Sequence, residues 1–263
     1  MIKEFVYYSK KIGWRRRVNV YLPSTYNNKD KFPVIYAFDG ANLHDPKNSL
    51  SGHSWEVKKT MERLIKAHVI KGFIVVGIYI SRNRLLEYTP VKYNEESGIK
   101  GEPLGDTTLD FFDEVMAYID NHYLTNGINH IVGSSCGGIM SLYAIAKYPK
   151  KYLTAGVFSI ASTILTPDYS KMIEASPFDP NNKVFIYMGD KESDKEESKM
   201  LVDDAYYYNE MLKKKGIKTE ILIGKNKEHT ETSWASALED YIRFIEKWYT
   251  ISIEVSKWRK RKD

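Results

Sequence analysis

INHIVGSSCGGIMSLYAI, residues 128–145, settles the fold class. Residues 128–132 read as a short strand, and residues 139–148 carry a helical pattern that Pro149 stops. Only Gly133-Ser134-Ser135-Cys136-Gly137-Gly138 separates them, so a strand must turn sharply into a helix. Further strand-length segments recur at 18–22, 33–38, 73–80, 155–160, 184–188 and 218–223, interleaved with helical patterns at 55–67, 109–123, 203–215 and 234–249. Strands alternating with helices predict an α/β protein. The expected architecture is a mostly parallel central sheet with helices on both faces, in a single domain over 1–263. The polar segment 81–108 holds Gly98, Gly101, Gly105 and two prolines. It breaks this rhythm and predicts a long loop at a substrate site.

Composition narrows the partners. With 263 residues, 43% hydrophobic and 28% charged, the chain reads as an ordinary globular protein. A single Cys excludes an intrachain disulfide framework and a thiolate zinc knuckle. The net charge of +5, from 39 basic and 34 acidic residues, is too small to make nucleic acid the default partner. The longest apolar run, Phe73 to Ile80, is far short of a bilayer span, and the N-terminus lacks the apolar core of a signal peptide. The expectation is therefore a soluble, cytoplasmic protein with no membrane partner. The basic tail 257–263 reads as a solvated, frayed terminus.

The turn at 133–137 is a G-x-S-x-G in the context that motif requires, between a strand and a helix. A nucleophile on so tight an elbow needs small neighbours two residues away on each side, which Gly133 and Gly137 supply. It also places Ser135 at a helix N-terminus, where free N–H groups can stabilise an oxyanion. Ser134 falls at the first x and points off the elbow; Cys136 contributes its N–H while its thiol packs away. A serine nucleophile needs a base and an orienting acid, in the chain order nucleophile, acid, histidine. Of six histidines only His229 follows Ser135, in a polar loop after the last strand. The acid must lie between them, and the segment after strand 184–188 offers Asp190, Glu192 and Asp194. Composition alone does not choose among the three.

The sequence resembles the putative esterase family of α/β-hydrolases, which groups esterase D-type, enterochelin and other siderophore, feruloyl and acetyl-xylan esterases. The matching blocks are PVIYAFDGANL (33–43), SGHSW (51–55), RLLEYTP (84–90), IDNHY (119–123), GSSCGGIMSLY (133–143) and HTETSW (229–234). They span about four fifths of the chain in the family's order. The resemblance implies an α/β-hydrolase fold and selects Glu192 as the acid, with Asp190 in reserve. It also implies that the 39–42 turn supplies an oxyanion-hole N–H from Ala41, paired with that of Cys136. Three positions depart from the family: Cys136 for a common Met, Thr230 for a common Asn, and Asp190 for a Thr.

These readings predict a serine esterase using Ser135, His229 and Glu192, with no cofactor and no metal. Asp39, His44 and Asp45 read as turn chemistry, since no metal-ligand spacing occurs. Asn42 and, from the 81–108 loop, Arg84, Glu87, Tyr88 and Tyr93 are the expected substrate contacts. The substrate would be a small-molecule ester, and a homodimer is compatible with the fold. The alternatives left open are a siderophore trilactone esterase, a sugar or feruloyl esterase, an acyltransferase and a catalytically dead binding protein.

Overall fold

The buried runs at 32–37 and 74–78 are continuous rather than alternating, as strands covered on both faces must be. The computed structural model describes residues 1–49 and 51–259. Eight strands form one sheet: β1 (Ile2–Tyr8), β2 (Arg15–Tyr21), β3 (Phe32–Ala37), β4 (Ile74–Ile78), β5 (Thr125–Ser134), β6 (Thr154–Phe158), β7 (Lys183–Gly189) and β8 (Lys218–Gly224). Their order is β1-β2-β4-β3-β5-β6-β7-β8. The pairs β1–β2 and β2–β4 are antiparallel and all others parallel, so the sheet is mostly parallel, as expected.

Among the described residues seven α-helices accompany it: α1 (Val57–Lys66), α2 (Arg84–Glu87), α3 (Gly105–His122), α4 (Cys136–Lys147), α5 (Asp168–Ala175), α6 (Lys195–Lys214) and α7 (Glu231–Arg259). Successive strand residues point to opposite faces and feed two cores. Val34, Tyr36, Ile186 and Met188 pack with α3, α4, α5 and α6 on one face. Ile35, Ala37, Phe185 and Tyr187 pack with α1 and α7 on the other. Each fully buried Leu, Ile, Val or Phe side chain in these layers contributes about 1.5–3 kcal/mol. No helix among the described residues is long and apolar enough to cross a membrane.

The strand after β3 lies on one side of it and β5 lies on the other. That reversal opens a crevice at the carboxyl ends of β3 and β5, where ligands bind in open α/β sheets. Several elements differ from expectation. Edge strand β1 and helix α5 have no clear periodic signal. Segment 81–108 is not one structureless loop: it contains α2 and a short 3-10 turn, and α3 already starts at Gly105. Asp106, Thr107 and Thr108, which precede the expected helical pattern at 109–123, thus lie inside the first turn of α3. Helix α7 carries its backbone to Arg259, past the start of the expected frayed tail, and 260–263 lie outside the described residues.

Two histidines serve packing rather than chemistry. His130 in β5 is fully buried, with Nδ1 2.8 Å from Thr154 Oγ1 and its ring edge-on to Phe73. Burial pushes its pKa down to about 3. Both ring nitrogens of His44 are buried without a partner among the described residues, and burial, helped by Lys58 and the N-terminal amine, lowers its pKa to about 4. Unfolded, both would protonate near 6.5. Between these limits the unfolded chain binds more protons, so stability falls as pH drops from about 6.5 toward 4. Each histidine contributes up to about 1.4 kcal/mol per pH unit. The urea midpoint should therefore be clearly lower at pH 4.5 than at pH 7.5, and His130→Leu should flatten the slope. An unchanged slope in that variant would contradict the assignment.

Candidate active site

From Ile131 to Ala146 every residue is buried except Ser135. Its backbone sits at φ 58°, ψ −123°, a conformation that costs a non-glycine residue on the order of 1–3 kcal/mol. The surroundings hold it there. Ser135 N–H donates to Phe158 O at 2.9 Å on β6, and Ser135 O accepts from Gly138 and Ile139 at the start of α4. The small neighbours are sterically required: a Cβ on Gly133 would lie 2.5 Å from Gly137 O. Ser135 Oγ itself makes no hydrogen bond among the described residues.

His229 and Glu192 do meet. Loops after β8 and β7 carry them, and Nδ1 lies 2.5 Å from Glu192 Oε2. The Glu192 side chain is fully buried, whereas that of His229 is 36% exposed. Glu192 Oε1 is occupied as well, accepting from Gly189 N–H at 2.6 Å and Ser159 Oγ at 2.5 Å. An indole N–H can only donate, and Trp234 Nε1 donates to Ser159 Oγ at 2.9 Å, so the serine proton must go to the carboxylate. Trp234 also presents its ring edge-on to His229, 5.2 Å between centroids. The carboxylate is therefore saturated on one oxygen and aimed at the imidazole with the other. The two loops touch through their backbones. Lys191 N–H donates to Lys227 O at 2.9 Å, and a Cβ on Gly189 would fall 2.2 Å from Lys227 O.

The other two carboxylates have different places. Asp194 caps α6, accepting from the N–H groups of Glu196 and Glu197. Asp190 is exposed, and its side chain makes no hydrogen bond among the described residues. A depression of about 670 Å³ lies between the loops, lined by Asp190, Lys191, Ser193, Lys195, Glu228 and His229. It opens beside the histidine–carboxylate pair rather than over Ser135.

At the end of β3, Asp39 takes a left-handed conformation (φ 52°, ψ 52°) and opens the short 3-10 turn Gly40–Asn42. Neither Ala41 N–H nor Cys136 N–H, each in the first turn of its helix, has a partner among the described residues. Asn42, partly exposed, donates from Nδ2 to Glu231 Oε1 at 3.0 Å, joining this turn to the histidine loop.

The expected substrate contacts in 81–108 need correction. Tyr88 is 0% and Glu87 2% exposed, so neither presents a surface to a ligand. Glu87 is held by Arg16 at 2.8 Å and by Ser81 Oγ, and Tyr88 Oη accepts the Asp39 N–H at 3.0 Å. Tyr93 is also buried, its hydroxyl donating to Leu85 O at 2.5 Å. Arg84 is engaged by Asp39 through two hydrogen bonds, at 2.8 and 2.7 Å. Burial works against its charge, but the Asp39 carboxylate outweighs that and raises its pKa. Sequence reasoning missed Ser159 and Trp234. The available signal for Ser159 was its place at the carboxyl end of the strand beside the elbow.

Comparison with known proteins places the fold among hydrolases. An IroE-like serine hydrolase from Shewanella oneidensis superposes with a TM-score of 0.76 at 22% identity, over 94% of this chain and 80% of that one. A ferulic acid esterase gives 0.71 at 19% identity, over 94% and 98%. In sequence, the chain is 26% identical over 214 residues to "Uncharacterized protein YbbA" of Bacillus subtilis (strain 168), covering 76% of this chain and 79% of that protein. Residues 9–247 match the family described as "Putative esterase", and the chain belongs to that family.

Proposed function

We propose that the chain is a serine carboxylic-ester hydrolase that cleaves a small or short-chain ester through an acyl-enzyme. The observation that carries this reading is the 2.5 Å bond between His229 Nδ1 and the buried Glu192 carboxylate, at the same end of the sheet as a strained, half-exposed serine. With Nδ1–H donating to Glu192, His229 Nε2 is the ring nitrogen that accepts a proton. Ser135 Oγ attacks the ester carbonyl carbon as Nε2 takes its proton. The carbonyl electron pair moves to oxygen, where the Ala41 and Cys136 N–H groups receive it. Collapse of the adduct breaks the ester C–O bond, and His229 returns the proton to the leaving alcohol. Water, deprotonated by the same nitrogen, then releases the acid and restores Ser135. Membership in the esterase family supports ester hydrolysis as the reaction.

The test is direct. The protein should hydrolyse p-nitrophenyl acetate and butyrate faster than the octanoate, and a fluorophosphonate should label it once, at Ser135. Absence of both turnover and labelling would sink the reading. Labelling without turnover would keep the nucleophile and change the substrate.

A further inference from the structure

Arg84 was expected at the substrate, yet its guanidinium faces the protein. Nε donates to Asp39 Oδ1 at 2.8 Å and Nη2 to Asp39 Oδ2 at 2.7 Å, a bidentate pairing that fixes both partners in orientation. The same Nη2 lies 3.4 Å from the carbonyl oxygen of Ser134, the residue before the elbow serine. One side chain thus touches the two strand ends that carry the two unpaired N–H groups: Asp39 two residues before Ala41, and Ser134 two before Cys136. A Cβ on Gly137 would lie 3.4 Å from Asp39 Oδ2, so the carboxylate also packs against the elbow itself.

Both ends of this arrangement are anchored. Helix α2, which carries Arg84, is pinned through buried Glu87 to Arg16 on β2. Tyr88, its next residue, accepts the Asp39 N–H and packs edge-on against Phe38. The turn is held from the other side by Asn19 Nδ2, which donates to Gly40 O at 2.6 Å. Left-handed Asp39 is a strained joint between these supports, and its carboxylate is nearly enclosed. Without the guanidinium, a buried charge would be left unpaired, and the turn would move to hydrate it.

We propose that Arg84 is a positioning residue: through Asp39 and Ser134 it sets the spacing between the Ala41 and Cys136 N–H groups that receive the oxyanion. This rests on the esterase reading above. The spacing matters at the tetrahedral stage, because donors help only when they fit where the negative oxygen will be. Loss of the clamp should therefore lower kcat and leave KM nearly alone.

The experiment compares wild type with Arg84→Lys, Arg84→Met, Asp39→Asn and the Arg84→Met/Asp39→Asn double variant. Each is assayed for kcat and KM on p-nitrophenyl acetate, for Kd of phenylboronic acid, and for thermal midpoint. The boronic acid adds to the serine and places an oxygen in the oxyanion position. Expected are a kcat about 10- to 100-fold lower for Arg84→Met, because misplacing a donor should cost less than the about 10²- to 10³-fold lost when one is removed, with KM within about twofold and boronic-acid affinity weakened in step with kcat. Arg84→Lys should recover only part of the loss, because an ammonium cannot make the bidentate pair. The double variant should be no worse than the poorer single one.

A KM rise at unchanged kcat would overturn the proposal in favour of direct substrate contact. Wild-type kcat in both folded Arg84 variants would overturn it outright. If Arg84→Met does not fold, Arg84→Lys and Asp39→Asn decide by the same criteria. A wild type that turns over and labels while these variants match it removes only the proposal; a wild type that does neither removes the esterase reading as well.

Discussion

Ser135→Ala should lower kcat/KM for p-nitrophenyl acetate by about 10⁴-fold or more, equivalent to about 5.5 kcal/mol of lost transition-state stabilisation. The size follows from what the substitution removes and what it leaves. Nucleophilic attack through Oγ is gone, while the two N–H groups and the binding surface remain to support a slow direct hydrolysis. Folding should be unaffected, because Oγ makes no hydrogen bond and alanine adopts the elbow's dihedrals no worse than serine. The check is a pair of measurements on one preparation, steady-state rate and thermal midpoint, together with loss of fluorophosphonate labelling. A variant that keeps its label would place the nucleophile elsewhere, Ser134 being the adjacent hydroxyl.

Glu192→Gln should lower kcat by about 10²- to 10⁴-fold, while Asp190→Asn should stay within about twofold of wild type. Three donors converge on Glu192: Gly189 N–H, Ser159 O–H and His229 Nδ1–H. A carboxylate accepts all three. An amide has one oxygen, and the chain side of this pocket already presents two donors to it. The amide nitrogen then faces His229, so Nδ1 must become an acceptor and the ring proton must sit on Nε2, the position that has to take the serine proton. Volume and packing hardly change, so the loss would reflect the tautomer rather than the fold. Asp190 is solvated and bonded to nothing through its side chain, and its amide should serve as well. If Asp190→Asn proved the more damaging of the two, the acid would have to be reassigned.

The contrast between those carboxylates explains what a sequence can carry. The elbow was legible because its steric demand leaves a mark: glycine at 133 and 137, between a strand and a helix. His229 was legible from chain order alone. The choice among Asp190, Glu192 and Asp194 was not, because three carboxylates within five residues have similar composition and differ only in direction. One points to solvent, one turns inward to His229 and one caps α6. Resemblance to a family selected Glu192; the residues alone did not.

Other features were hidden for other reasons. Ser159 bends at φ 44° after a buried strand, and a non-glycine in that conformation leaves no sequence signature. Glu87 and Tyr88 sit in a polar stretch and read as substrate contacts. Glu87 is buried because Arg16, 71 positions earlier, supplies the opposing charge, a long-range fact invisible to local pattern. Strand β1 carries apolar Ile2, Val6 and Tyr8 on its exposed face, so the alternation that marks an amphipathic strand is weak. Helix α6 begins eight residues before its expected start because its first turn, Lys195 to Ser198, is wholly polar; its buried apolar positions, among them Leu201, Ala205, Tyr208 and Leu212, set in later.

Helix α7 has a bearing on how the molecule is made. It is the last described element to leave the ribosome, yet Trp234, Leu238, Tyr241, Ile242 and Ile245 pack beside α1 on one face of the sheet. Until they emerge, Phe185 and Tyr187 lack that cover, Glu192 lacks its imidazole and Ser159 lacks the indole that orients its hydroxyl. A nascent chain halted before residue 229 would hold a complete elbow and an apolar, adhesive sheet face, the kind of intermediate that chaperones retain. Chemical competence and release from that hazard thus arrive together, with the synthesis of α7.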